Sequence, residues 1–125
     1  MTTTTAPTGE LATIAAHRAH AHAVALALRD AGLPRATFDA TTGTIEPDPA
    51  NATMTTSWAI RPRSVRRLDL ADAADDAGAV AERLGRVYPV VVQKRRMADD
   101  AQHYVVMSLS TFAALLRDGL PGAMR

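Results

Sequence analysis

The segment 88–109, "YPVVVQKRRMADDAQHYVVMSL", decides how the chain folds. Its opening, "YPVVVQ", is an unbroken apolar run rich in β-branched residues, the mark of a strand covered on both faces. A central strand with a layer on either side is therefore expected at 88–93. The run passes directly into Lys94, Arg95 and Arg96, and Lys94 is the single lysine of the chain. Further on, "HYVVMSL" at 103–109 reads as another strand. Ser110 then caps a short helix through Phe112, Leu115 and Leu116, closed by Gly119 and Pro121.

Toward the N-terminus, Asp69 or Asp72 is placed to cap a helix with the stripe Leu70, Ala74, Ala77, Ala81 and Leu84, and Gly85 stops it. Before it, "TSWAIR" at 56–61 alternates like a strand, and Pro62 argues that this strand ends, or lies at an edge, beyond Arg61. The turn-forming "PDPANAT" at 47–53 reads as a loop. "RATFD" at 35–39 and "TIE" at 44–46, separated by "TTG" at 41–43, read as a hairpin. Glu10 to Ala31 is helical, with the stripe Leu11, Ile14, Ala21, Val24 and Leu28, and with Gly32 and Pro34 as the stop. The order is helix, three strands, helix, two strands, helix. This is the α/β class, with a mixed sheet of about five strands flanked by helices.

The 125 residues, 47% of them hydrophobic, suit one domain with one core. That domain is expected at 10–119, between a disordered polar tail at 1–9 and a short tail at 120–125. The absence of cysteine excludes disulfide scaffolds, thiolate metal sites and cysteine nucleophiles. Apolar runs such as "AVALAL" at 23–28 fall far short of the roughly 20 residues that cross a bilayer. "MTTTTAPTGE" has neither the basic nor the apolar region of a signal peptide. A cytoplasmic protein with no membrane partner is expected.

The net charge is +1, but nine of the fourteen basic residues lie between Arg61 and Arg96. The same span carries Asp69, Asp72, Asp75, Asp76 and Glu82, mostly at one helix start. The pattern implies a locally basic surface rather than a basic protein. Abundant Ala and Arg with one Lys is also the composition of a GC-rich genome.

Four stretches, "RRLDL" at 66–70, "ERLG" at 82–85, "VVVQKRR" at 90–96 and "YVVMSLSTFAALL" at 104–116, together resemble the small, often phage-encoded PD-(D/E)XK nuclease-like proteins described as Holliday-junction-resolvase-like. The resemblance spans about 10–119 and is strongest after Arg66. It implies a restriction-endonuclease-like core of helix, three strands, helix and strand, with DNA as the partner. Active members hold magnesium with an Asp on the second strand and the Glu of a Glu-x-Lys motif on the third, and the Lys polarises water or phosphate. A hard cation wants oxygen ligands, and the one-residue spacing sets Glu and Lys on one face of the strand.

Carried over, the motif falls on Arg61, Pro62 and Arg63, so "RPR" stands in its place. Asp48, in "EPDP" at 46–49, stands where the first acid belongs. The glutamate that some members carry on helix one falls near Ala21, and Glu10 is about three turns too early. An arginine repels magnesium instead of ligating it. The resemblance therefore implies a DNA-binding protein with a degenerate site and no metal or cofactor. Magnesium enters only if cleavage persists through a rearranged site of Glu46, Asp48 and Lys94, with Asp48 and Lys94 catalytic.

The nucleic-acid-binding candidates are Arg61, Arg63, Arg66, Arg67, Gln93, Lys94, Arg95 and Arg96, since phosphate contacts need only placed cations. Against this, most strand ends exit into solvent through charged residues, and Gln93 also reads as a buried, satisfied glutamine. His17 and His20, three apart on a helix, suggest a metal site or simply a solvated face, and His22 points elsewhere. His103 becomes a general base near Lys94 only if the last strand pairs beside the central one. Trp58 and Tyr88 are the nearest large aromatics, and Trp58 suits the core better than a stacking platform. The competing function, of another class, is a phage structural, assembly or anti-defence module that binds protein. A homodimer is compatible with either.

Overall fold

In the computed structural model, which describes residues 8–64, 69–96, 99 and 102–119, the run at 88–93 forms strand β4 (Tyr88–Gln93). The described elements begin with α1 (Thr8–Asp30), β1 (Thr37–Asp39), β2 (Thr44–Glu46), α2 (Ala52–Ser57) and β3 (Trp58–Arg63). They continue after the segment past Arg63 with α3 (Leu70–Leu84), β4, β5 (Tyr104–Val106) and α4 (Leu109–Asp118). The sheet runs β1-β2-β3-β4-β5. β3 and β4 are parallel, from Trp58↔Tyr88 to Arg63↔Gln93, and the other neighbours are antiparallel. The protein is thus an α/β fold with a five-stranded mixed sheet and, among the described residues, four helices.

β4 is interior, though fourth of five rather than central. Alternation of side chains across a strand assigns its residues to two cores. Val90 and Val92, with Ile60 and Ile45, pack against Val24 and Ala25 of α1, with Leu28, Phe38, Trp58 and Met107 around them. Val91 faces the other way onto Ala73 and Ala77 of α3, with Val106 beside it. The continuous apolar run is explained by a helix on each side.

Local chemistry sets the ends of α3. Asp69 accepts the N–H of Asp72 at the N-cap, and Gly85 closes the helix in a left-handed conformation, φ +68°. The buried face is Ala73, Ala77, Val80 and Ala81, so the expected stripe is rotated and Leu70 is exposed. Small alanines let α3 lie close over β3 and β4, and close approach rather than side-chain size chose the face. In α1, Ala21 and Val24 are buried as the stripe requires, but Ile14 is half exposed, and Ala25 and His20, outside the stripe, are buried as well.

Three boundaries differ from the sequence reading. Part of the expected loop and the start of the expected strand form the short helix α2, capped by Asn51, whose side chain accepts the N–H of Met54. Thr56 and Ser57 bond back to the carbonyls of Ala52 and Thr53, an option that propensity counting misses. β3 continues through Pro62 to Arg63. The carbonyl of Arg63 accepts the N–H of Lys94 on the β4 side, so the Pro62 nitrogen points the opposite way, where β2 has already begun its turn. Its missing N–H therefore costs no ladder bond. The last strand is only three residues long, and Ser108 rather than Ser110 caps α4, accepting the N–H of Thr111.

Candidate nucleic-acid interface

Because β3 and β4 are parallel, their carboxyl ends lie together, and Arg63 is level with Gln93. Lys94, Arg95 and Arg96 leave the sheet at that edge, and the link from β3 to α3 also begins there. Crevices outside the carboxyl ends of parallel strands are the usual binding places of open α/β sheets. Between this edge and α1 lies an open pocket of about 400 Å³, lined by His17, Arg18, Ala21, Phe38, Gly43, Arg61, Pro62 and Arg63.

The arginines of "RPR" do not both face that pocket freely. Arg61 donates from Nε to Asp76 at 3.0 Å and from a terminal nitrogen to the Gly43 carbonyl at 2.9 Å. It fastens the β1–β2 turn to α3. Arg63 pairs with Asp72 at 3.4 Å and with Asp76 at 3.8 Å, and its Nε is buried with no hydrogen-bond partner among the described residues. Two of the acids gathered at the start of α3, Asp72 and Asp76, are thus counter-charges to these two arginines. At the pocket and the exit from β4, the described cations for which no carboxylate partner is seen are Arg18, Lys94, Arg95 and Arg96, of which Arg18, Arg95 and Arg96 are exposed. Arg66 and Arg67 lie outside the described residues.

β5 pairs next to β4, which brings His103 to this edge, where its Nδ1 accepts the backbone N–H of Arg95 at 3.0 Å. The Arg95 guanidinium lies over the Tyr104 ring, 5.4 Å from its centre, an arrangement that favours a cation. The exit from β4 is therefore held by the neighbouring strand. Gln93 is buried, and its amide donates to the carbonyl of Lys94. His20 is buried, with Nε2 at 2.9 Å from the carbonyl of Val92, and its ring meets His103 edge-on. His17 lines the pocket instead, and His22 meets Phe38. Among the described residues no three His, Asp or Glu side chains gather as a metal site.

The rearranged catalytic set is not assembled. Asp48 follows β2, and because β2 runs against β3 it lies near the start of β3, with its carboxylate accepting the N–H of Ala50. Lys94 is beyond the far end: β3 runs five strand steps from Trp58 to Arg63, about 16 Å, and Lys94 follows Gln93, which is level with Arg63. Glu46 is buried and bound to Arg86 at 3.1 Å. On the face toward α1, β2 and β3 present Ile45 and Ile60, both in the core. On neither face do the two strands present the carboxylate pair that the nuclease motif requires.

Two contributors escape a sequence reading. Arg18 sits inside the "HRAHAH" cluster, where the histidines draw attention, and only the packing of α1 brings it to the pocket. Tyr104 becomes a support for Arg95 only once its register opposite Gln93 is known. No family model, curated protein or solved structure matches this chain. No helix among the described residues is long and apolar enough to cross a membrane.

Proposed function

We propose that this chain binds DNA along the cationic edge at the carboxyl ends of β3 and β4, on a nuclease-like scaffold without metal-dependent cleavage. The observation that carries this reading is that Lys94, Arg95 and Arg96 leave β4 level with the end of β3, where the Arg63 carbonyl accepts the Lys94 N–H, and that Arg63 and Arg18 line the pocket there. The restriction-endonuclease-like core implied by the resemblance is supported by the order helix, three strands, helix, strand, with α1 and α3 on opposite faces of the sheet. Arg61 and Arg63 enter chiefly as scaffold. Phosphate contact falls on Lys94, Arg95, Arg96 and Arg18, and supplies affinity without sequence preference.

A salt series with duplex, branched and single-stranded DNA, with and without magnesium, tests this. Binding should weaken as salt rises. Lys94→Ala should lower the slope of log affinity against log salt by about one unit while leaving the fold intact. Lys94→Arg should keep most of the binding, because a phosphate contact wants charge, whereas a water-activating lysine does not tolerate the substitution. Magnesium-dependent cleavage abolished by Asp48→Ala would return the rearranged nuclease to first place. Absence of salt-sensitive DNA binding would favour the protein-interaction reading, which the exposed apolar surface on β5 and α4 supports independently.

A further inference from the structure

The last two described elements carry large apolar side chains in solvent. Leu109, Phe112 and Leu116 follow one another at helical spacing on α4 and are 79%, 48% and 71% exposed. Tyr104 and Val105 on β5 are 55% and 61% exposed. β5 ends the sheet, so one side of its backbone has no strand partner among the described residues. Beyond its three-residue length the edge has little defence: the strand "YVV" has no charge and no proline, and α4 carries no charge before Arg117 and Asp118. Only Met107 and Ser108 separate the open edge from the apolar helix.

We infer that this surface docks a second copy of the same chain, β5 against β5 and α4 against α4. An antiparallel pairing across a two-fold axis perpendicular to the sheet keeps each face on its own side. It joins two five-stranded sheets into one of ten and sets the two α4 helices together. The two-fold axis makes the interface isologous, so the apolar patch of one copy meets the same apolar patch of the other. Five side chains at these exposures present on the order of 600 Å² per protomer, so the pair removes at most roughly 1,200 Å² from these side chains, the lower bound of stable interfaces. A nucleic-acid occupant is disfavoured because the one cation of α4, Arg117, is paired with Asp118. The inference does not rest on DNA binding.

Because the chain has no cysteine, Val105→Cys supplies a thiol that can pair only with the same residue of another copy. At the centre of β5 it would face itself across the axis, at strand-pair distances compatible with a disulfide. Under mild oxidation, Val105→Cys should give a covalent dimer, and Ile14→Cys, exposed elsewhere on α1, should not. Sedimentation of the full chain at roughly 100 µM, above the micromolar constants expected of such an interface, should give twice the 13.3 kDa protomer mass. Phe112→Asp with Leu116→Asp should restore the protomer mass with unchanged melting after dilution to the monomer. A wild-type protomer mass at 100 µM together with no excess cross-linking at Val105→Cys would overturn the proposal. So would a dimer unaffected by the double variant, which would mean that another surface pairs.

Discussion

Replacing Arg86 by methionine should be the most damaging single change outside the apolar core. The guanidinium lies between the end of α3 and the start of β4, with a side-chain exposure of 10%, and the carboxylate of Glu46 has 9%. It donates to Glu46 at 3.1 Å, to the Trp58 carbonyl at 3.1 Å and to the Thr44 hydroxyl at 3.3 Å. One side chain thus joins β2, β3 and the α3–β4 link. Arg86→Met leaves a buried carboxylate whose second oxygen already has no partner among the described residues. Removing one member of a buried pair costs about 3–5 kcal/mol. At roughly 4 °C per kcal/mol for a domain of this size, Tm should fall by about 12–20 °C. The single tryptophan, Trp58, reports unfolding in urea, and its own carbonyl is one of the acceptors. Glu46→Leu alone should cost a similar amount, because it strands the cation. The double variant should be more stable than either single one, losing only about 1–3 kcal/mol for the stranded carbonyl and hydroxyl. Additive losses, or less than about 1 kcal/mol for Arg86→Met, would refute the view that this pair bridges the sheet.

Other consequences follow from the same contacts. Gly43 has φ +74°, and a Cβ there would run into the Arg61 guanidinium; Gly43→Ala should therefore cost about 1–3 kcal/mol by urea titration, with less additional loss in an Arg61→Ala background. Val91→Asp and Ala77→Asp each bury a lone carboxylate between β4 and α3; far-UV circular dichroism should show an unfolded or strongly destabilised chain, and an unchanged melting temperature would misplace that core. Asp118 accepts from Arg117 and from the Tyr88 hydroxyl, and both hold its carboxyl below the usual range, the Arg117 bond most. A lowered folded-state pKa contributes stability that is present above about pH 4 and lost as pH falls further; the gap between wild type and Asp118→Asn should therefore close in acid. The bond to Asp118 and burial raise the Tyr88 hydroxyl above its ordinary value. Its contribution is present below about pH 10 and is lost on ionisation in stronger alkali. Ultraviolet titration of Tyr88→Phe against wild type checks this.

What the sequence reveals and conceals divides along physical lines. β4 is legible because burial on both faces demands an apolar residue at every position, and α3 is legible because Asp69 and Gly85 mark its ends. The hairpin of β1 and β2 is legible from its turn, although β1 starts two residues late. α2 is concealed because its threonines favour strands, and its stability rests on the Asn51 cap and on side-chain bonds to the backbone. In the candidate site, Lys94, Arg95 and Arg96 stand out as a charged break after an apolar run. The orientation of Arg61 and Arg63 does not stand out, since it depends on which face of β3 meets Asp72 and Asp76. Arg86 leaves almost no trace: it follows a helix-ending glycine, and the sole hint of its partner is a polar Glu46 beside buried Ile45.

The parallel pairing of β3 with β4 also governs the order in which the chain can assemble. Trp58 meets Tyr88 thirty positions later, whereas β1 and β2 join across a four-residue turn, 40–43. Closing the long crossover costs chain entropy before the sheet returns any packing, so it should be the slow event. α3 spans that gap and is capped at both ends by its own residues. A preformed helix shortens the flexible length to be closed. Weakening the Asp69 cap should therefore slow refolding more than it speeds unfolding, while changes confined to the hairpin should act mainly on the unfolding rate.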